Sequence, residues 1–233
     1  MEIQFRDDMT VELRQHMGDD DAIIQAMLVS TQAEESKEAT ADFGRINFLM
    51  KNRHGTPFEH AAMTFYIEAP IFVFREFHRH RIGWSYNEVS GRYRELDPVF
   101  YVPHSERPLM QIGKPGHYEF VAGSDDLFRL MEDCHRSTCE DAYTYYKMML
   151  DKGVAKEVAR MSLPVGIYSA MYATCNPRSL MSFLSLRTKH EDSTFPSYPM
   201  REIEMVAEQM EWLFSHHFPL TYQSFCENGR VAP

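Results

Sequence analysis

Residues 125–152 read DDLFRLMEDCHRSTCEDAYTYYKMMLDK. Leu127, Leu130, Met131, Cys134, Thr138, Ala142, Tyr145 and Met149 recur at three- and four-residue spacing, the period of one face of an α-helix. Ser124 stands at the N-cap position and Gly153 where such a helix ends. Downstream, Ala155 to Leu163 is a shorter helix stopped by Pro164. Val165 to Thr174 alternates Val165, Ile167, Ser169, Met171 and Ala173, the period of a strand. Asn176 and Pro177 then open a helix as cap and first residue, with Leu180, Met181, Phe183, Leu184 and Leu186 as its apolar positions. A last helix runs from about Met200 to His216, with Ile203, Val206, Ala207, Met210, Leu213 and Phe214 on one face.

Upstream, Pro70 suits the first turn of a helix through Ile71, Phe74, Phe77 and His78. Ala62 to Glu68 reads as a strand, and His54 to His60 as a turn by its Gly and Pro content. Asp42 to Asn52 is a short helix, and Thr31 to Ala41 a loop. Helices outnumber strands and do not alternate with them regularly. The expected class is therefore α+β, a mixed or antiparallel sheet flanked by long helices. The 233 residues suffice for one sizeable core.

No run approaches the ~18 apolar residues of a membrane span, and the first residues lack the basic and apolar regions of a secretory signal. Cys134, Cys139, Cys175 and Cys226 show no paired spacing, so a reducing cytoplasm and idle or buried thiols are expected. Cys134 and Cys139 fall on different faces of their helix. The net charge of −10 speaks against general nucleic-acid binding. Dinucleotide-fold, P-loop and nucleophile-elbow motifs are missing, and His78 and His80 lack the partners of a recognised zinc spacing. His60 is read as a structural histidine, and the helix dipole accounts for His216 and His217.

The charge is unevenly spread. Between Arg75 and Arg94 five arginines and two histidines meet only Glu76 and Glu88. By charge alone this is equally an anion site or a solvated helix face. Residues 79–93 read RHRIGWSYNEVSGRY. Arg79, Arg81 and Arg92 offer rigid forks for phosphate or carboxylate oxygens. Ser85, Asn87 and Ser90 can read a heterocycle edge, and Gly83 and Gly91 let backbone turn or approach a ligand. Glu88 can hold an arginine, and Trp84, Tyr86 and Tyr93 can stack. This composition suits a phosphorylated aromatic ligand without naming it.

The segment resembles the signature of the flavin-dependent thymidylate synthases, RHR-x-x-S-x-N-E-x-S-x-R-Y. Every fixed position matches, but Ile82, Gly83 and Trp84 put three residues where the signature has two. A bulge beside Gly83 is the expected accommodation. The likeness covers nearly the whole chain. Residues 54–60, HGTPFEH, resemble the family's H-x-T-P-F-E-H, and residues 157–164, EVARMSLP, its E-x-A-R-x-x-L-P. Residues 176–187, NPRSLMSFLSLR, resemble N-x-R-S-L-x-N-F-L-x-L-R, with Ser182 where Asn is frequent. Leu28 stands where the family commonly has Arg.

The resemblance implies one domain over residues 1–233 that converts dUMP to dTMP. The carbon comes from 5,10-methylenetetrahydrofolate and the reducing equivalents from NADPH through FAD. It implies homotetramers with active sites at subunit interfaces, no metal, and no nucleic-acid or membrane partner. Ser30, Thr56, Arg79, His80, Arg81, Glu88, Asn176, Arg178 and Ser182 would hold FAD. Glu76, Arg79, Glu88, Ser90, Gly91, Arg92, Arg160 and Arg187 would hold dUMP. Arg187 would be catalytic, its fixed charge favouring ionisation of the pyrimidine N3. His54 would lie near flavin and folate. Ser90 is a nucleophile on paper, but no histidine lies close in sequence, and a binding role suits it better. Two rivals remain: a flavoprotein of the same fold with another substrate, and a nucleic-acid module built on residues 75–94.

Overall fold

The computed structural model describes residues 2–30, 39–114 and 117–233. The first half of the chain runs β1 (Gln4–Arg6), β2 (Thr10–Met17), α1 (Asp20–Val29), α2 (Ala39–Lys51), a 3-10 turn (Thr56–Glu59), β3 (Ala62–Pro70), α3 (Ile71–Phe77) and β4 (Trp84–Glu88). It continues with β5 (Val99–Tyr101), β6 (Met110–Lys114), β7 (His117–Val121), α4 (Asp125–Asp151), α5 (Lys156–Ala159) and a 3-10 turn (Arg160–Ser162). β8 (Tyr168–Cys175), α6 (Pro177–Arg187), α7 (Arg201–His217) and α8 (Pro219–Glu227) complete the α+β architecture. The chain divides into two compact units. The smaller comprises Met1–Asp8, Ala69–Phe72 and Val89–Ser169; the larger comprises Met9–Glu68, Val73–Glu88 and Ala170–Pro233.

The larger unit holds a four-stranded sheet in the order β2-β3-β8-β4, with β2–β3 and β4–β8 antiparallel. Alternation along β3 buries Met63, Phe65 and Ile67 and leaves Thr64, Tyr66 and Glu68 half-buried. α7 packs on β2, α6 and α8, and buries Ile203, Val206, Ala207, Met210 and Phe214, five of the six residues expected on its inner face. Besides β4, three elements here were not anticipated. They are β2, α1, which Asp19 caps by accepting from Ala22 N (3.2 Å), and α8, which begins at Pro219. α2 starts at Ala39 rather than Asp42; residues 31–38 of the expected loop lie outside the described residues.

In the smaller unit β1 and β5 pair in parallel, β6 and β7 form a hairpin, and α4 supplies much of the core. The buried face of α4 is not the expected one. Cys139, Tyr143 and Tyr146 are buried and Met149 of the expected stripe packs against them, whereas Leu130, Cys134, Thr138 and Tyr145 of that stripe are exposed. The tyrosines win the interior because their hydroxyls find backbone partners there. Tyr143 donates to Leu96 O (3.0 Å), and Tyr146 accepts from Leu96 N (3.2 Å). Ser124 and Gly153 do bound the helix: Ser124 Oγ accepts from Leu127 N (3.2 Å), and Gly153 has φ +85°. The expected strand from Val165 begins only at Tyr168. Pro164 starts a turn closed by Ile167 N (3.1 Å), and the carbonyls of Val165 and Ile167 accept from Phe72 and Ile71. The helix expected over Ala155–Leu163 is helical only to Ala159 and then tightens to 3-10, since Leu163 before Pro164 must be extended.

Candidate active site

A cavity of about 560 Å³ lies in the larger unit. One wall is Arg79, His80, Arg81, Ile82, Gly83 and Trp84, between α3 and β4. The other is the first turns of α6, with Asn176, Arg178, Ser179 and Ser182; Glu59, Ala232 and Pro233 close it. Local sequence explains both walls. Asn176 caps α6, its Oδ1 accepting from Ser179 N (2.8 Å), and Pro177 follows in the first turn. The positive end of α6 and three guanidiniums therefore border one space, an arrangement suited to an anionic group.

The extra residue of the 79–93 segment is absorbed in the turn and not as a bulge. Gly83 has φ +69°, and β4 pairs with β8 in unbroken register from Trp84↔Cys175 to Glu88↔Met171. Ser179 Oγ donates to Ile82 O (3.0 Å) and occupies the place of a Cβ on residue 83, so only glycine fits. The aromatic residues brace this turn. Trp84 stacks on Tyr86 (5.6 Å, 12°) and Phe77 on Phe183 (4.8 Å, 20°). Tyr86 Oη donates to the carbonyls of Phe77 (2.9 Å) and His80 (2.8 Å).

Two arginines of α6 are already oriented. Arg178 donates Nε to Pro233 O (2.7 Å) and Nη1 to Glu59 Oε1 (2.6 Å), and its guanidinium lies where a side chain on Gly55 would stand. Arg187 is 16 % exposed and makes three contacts. Nη1 meets Glu76 Oε2 (2.6 Å), Nη2 donates to Glu76 O (3.4 Å), and Nε donates to His80 Nε2 (3.1 Å). Burial and the Arg187 charge hold the His80 pKa down at about 4. At neutral pH the imidazole is uncharged, with Nε2 as acceptor and the proton on Nδ1. Arg187 thus carries a fixed cation between one carboxylate and one neutral ring.

The smaller unit brings together Ser90, Gly91, Arg92 and Arg160. Ser90 opens a tight turn, its carbonyl accepting from Tyr93 N (3.0 Å) and Arg94 N (3.2 Å), and its Oγ from Arg92 N (3.3 Å). Among the described residues no histidine hydrogen-bonds Ser90. Gly91 is buried against the Arg160 stem; an added Cβ would meet Arg160 Cδ and Leu96 Cδ1 at 3.2 Å. Arg92 Nε pairs with Glu157 Oε2 (2.9 Å), both side chains about half exposed.

The model of the thymidylate synthase complementing protein family matches residues 12–220. The chain belongs to this family. It is 57 % identical over 238 aligned residues to a flavin-dependent thymidylate synthase of Streptomyces avermitilis, covering 98 % of this chain and 95 % of the relative. A flavin-dependent thymidylate synthase of Tropheryma whipplei is 49 % identical, covering 100 % and 98 %. Among solved structures, the UMP/dUMP methylase PolB of Streptomyces cacaoi, bound with 5-Br UMP, superposes with a TM-score of 0.93 at 47 % identity, over 99 % of each chain. The same methylase bound with 5-Br dUMP gives 0.93 at 48 %, over 99 % and 100 %.

Within this family frame the sequence-derived residues fall into three groups. Arg79, His80, Arg81, Asn176, Arg178 and Ser182 line the one cavity. Glu76, Arg79 and Arg187 belong to the larger unit, with Glu76 paired to Arg187, while Ser90, Gly91, Arg92 and Arg160 belong to the smaller. Ser30, Thr56 and Glu88 do not line the cavity: Ser30 ends α1, Thr56 starts a 3-10 turn and Glu88 ends β4. His54 is exposed and meets Phe48 edge-on (5.7 Å); His60 is exposed as well, not buried as a structural histidine would be. Glu59, Ser179 and Pro233 were not anticipated. Glu59 and Ser179 lie inside quoted motifs, where their acid and hydroxyl were the available signal. Nothing in the sequence marked the carbonyl of Pro233.

Proposed function

We propose that the chain is a flavin-dependent thymidylate synthase, methylating dUMP to dTMP with 5,10-methylenetetrahydrofolate as carbon donor and NADPH as reductant through FAD. The observation that carries this reading is the convergence of Arg79, His80, Arg81, Asn176, Arg178 and Ser182 on one cavity. Three guanidiniums and a helix N-terminus fit the pyrophosphate of FAD, and Ser179, Ser182 and Asn176 add polar groups. FAD, when bound, supplies the reducing equivalents that turn the transferred carbon into a methyl group.

The chain's own residues bind and polarise. Arg92 and Arg160 take the phosphate of dUMP as charge-assisted donors, beside Ser90 and Gly91. The family resemblance also assigns Arg79 and Glu76 to the nucleotide, in active sites assembled between subunits. Arg187, held by Glu76 and His80, places a fixed positive charge at the pyrimidine. That charge stabilises the anion developing at N3, and it needs no reorganisation because its partners already fix it. The enzyme works as one domain over residues 1–233 in a homotetramer, in which exposed Leu130, Tyr145 and Met148 of α4 offer apolar surface to neighbouring copies. A cytoplasmic setting suits four free cysteines, and among the described residues no helix is long and apolar enough to cross a membrane.

The test is release of tritium from 5-tritiated dUMP in the presence of FAD, NADPH and methylenetetrahydrofolate. Release should stop when NADPH or methylenetetrahydrofolate is omitted, or when the bound flavin is removed. A flavin-loaded preparation that releases none would overturn the reading. The likeness to a UMP/dUMP methylase supports a second reading, the same reaction on the ribonucleotide. UMP run beside dUMP decides between them; turnover of UMP at the dUMP rate would widen the substrate to both.

A further inference from the structure

Arg230 lies 43 residues beyond Arg187 and in none of the family motifs. It is 1 % exposed, the largest fully buried side chain among the described residues, and its backbone has φ +57°. A non-glycine residue holds that conformation only where its surroundings over-determine it. The surroundings are specific. Nη1 and Nη2 grip Glu211 Oε1 (2.6 Å) and Oε2 (2.9 Å) as a bidentate pair, and Tyr222 Oη donates to the same Oε1 (2.8 Å). The guanidinium lies over the Phe225 ring (5.1 Å). Burial works against the charge, but the bonds to Glu211 outweigh it and leave the pKa above the ordinary arginine value.

The remaining Nη2 proton goes to Thr188 Oγ1 (2.6 Å). Thr188 is the residue directly after Arg187, and all its polar groups are tied. Its N and Oγ1 both donate to Leu184 O (3.0 and 2.7 Å), and its carbonyl accepts from Ser197 Oγ (2.7 Å). Arg187 is thereby fixed at both ends, its guanidinium by Glu76 and His80 and its backbone by Thr188. Arg230 and Arg187 also border a common cavity of about 530 Å³ with Phe195, Ser197 and Tyr198. Arg230 Nε is buried without a hydrogen-bond partner. An aliphatic side chain would fill the space without that cost, so the contribution of the guanidinium lies in its Nη bonds.

We infer that Arg230 is a positioning residue for Arg187, acting through Thr188. The inference rests on the role proposed above for Arg187. Thr188→Val keeps the volume and the Arg230–Glu211 pair but removes the hydroxyl; Thr188→Ser restores it. Tritium release from dUMP, flavin content and melting temperature are measured for both, with Arg187→Ala in the same assay. Expected for Thr188→Val is a kcat lower by about 10- to 100-fold, the scale of a misplaced catalytic group, with KM for dUMP changed far less and flavin content unchanged. Thr188→Ser should recover most of the turnover. Should Thr188→Val not fold, Arg230→Lys takes its place: it keeps a cation for Glu211 but cannot also reach Thr188, and kcat should fall in the same way. A kcat within about twofold of the parent, the reproducibility of independent sites, overturns the inference. So does equal impairment of the Val and Ser variants, or loss of flavin in step with turnover. Normal turnover in Arg187→Ala would instead remove the role of Arg187 itself.

Discussion

Arg187 and Arg92 each pair with a glutamate, and the two pairs are built for different work. The Arg187–Glu76 pair is 16 % and 36 % exposed and is extended by His80 and a backbone carbonyl. The Arg92–Glu157 pair is 54 % and 52 % exposed, a single contact. An exposed pair contributes about 0–1 kcal/mol and exchanges its partner readily. A sheltered arginine with three partners is fixed before substrate arrives. The first arrangement suits a charge that must already be in place when N3 ionises. The second suits a charge that lets go of a carboxylate to take a phosphate.

The sharpest test of this contrast is removal of each arginine. Arg187→Ala should lower dTMP formation by about 100- to 1000-fold, the effect of deleting one preorganised electrostatic group, while FAD remains bound. Tritium release and the flavin absorption spectrum measure the two halves separately. Arg187→Ala enzyme that recovers activity with excess FAD would make Arg187 a flavin ligand and break the comparison. Arg92→Ala should act mainly on KM for dUMP, raising it by about 10- to 100-fold, equivalent to one charge-assisted hydrogen bond of roughly 1.5–3 kcal/mol. Steady-state kinetics with a kcat loss matching that of Arg187→Ala would show that the two arginines do one job. Ser90→Ala belongs on the same scale below Arg92: weaker dUMP binding with residual turnover. Complete inactivity at normal dUMP affinity would restore Ser90 as a nucleophile.

A pH titration sharpens the Arg187 side. His80 has its folded pKa at about 4, below the ordinary histidine value, because it is part-buried and faces Arg187. The unfolded chain therefore binds the proton first as pH falls. The neutral ring's contribution to stability is complete above about pH 6.5 and is lost as pH falls from there toward 4. The melting temperature should drop over that window, and His80→Gln should flatten part of the slope. His80 should show no NMR titration between pH 5 and 8. A midpoint near 6.5 would mean that the Nε2 contact with Arg187 does not persist in solution.

Much of this was legible in the sequence, for local reasons. Caps at Asn176 and Ser124, the stops at Gly153 and Pro164, and the period-2 pattern of β3 each act over a few residues. What stayed hidden depends on distant partners. The choice between two apolar faces of α4 turned on Leu96, whose backbone satisfies Tyr143 and Tyr146. The cavity-lining residues of 79–81 and 176–182 were legible as motifs, but Glu59 and Pro233, which orient Arg178, reach it across 119 and 55 residues. The Arg230–Thr188 bond spans 42 residues and carries no motif. Gly83 was legible as the point of irregularity. Its accommodation as a left-handed turn, not a bulge, was set by the Ser179 side chain from α6.

The smallest expected effect is the most discriminating for the exposed pair. In Glu157→Gln the charge facing Arg92 is removed while the side-chain shape is kept. Folding stability should change by less than about 1 kcal/mol, because both partners are half exposed and screened. On the proposed assignment of Arg92 to the dUMP phosphate, Glu157 would compete for the same guanidinium, so KM for dUMP should fall, by up to about threefold at low salt, with kcat unchanged. The gain should shrink as ionic strength rises from about 0.01 to 0.15 M, where the screening length drops from ~30 to ~8 Å. A KM that instead rises tenfold would mean that Glu157 holds Arg92 in its working orientation. The exposed pair would then be doing what Glu76 does for Arg187, and the division between a fixed and an exchangeable arginine would fall.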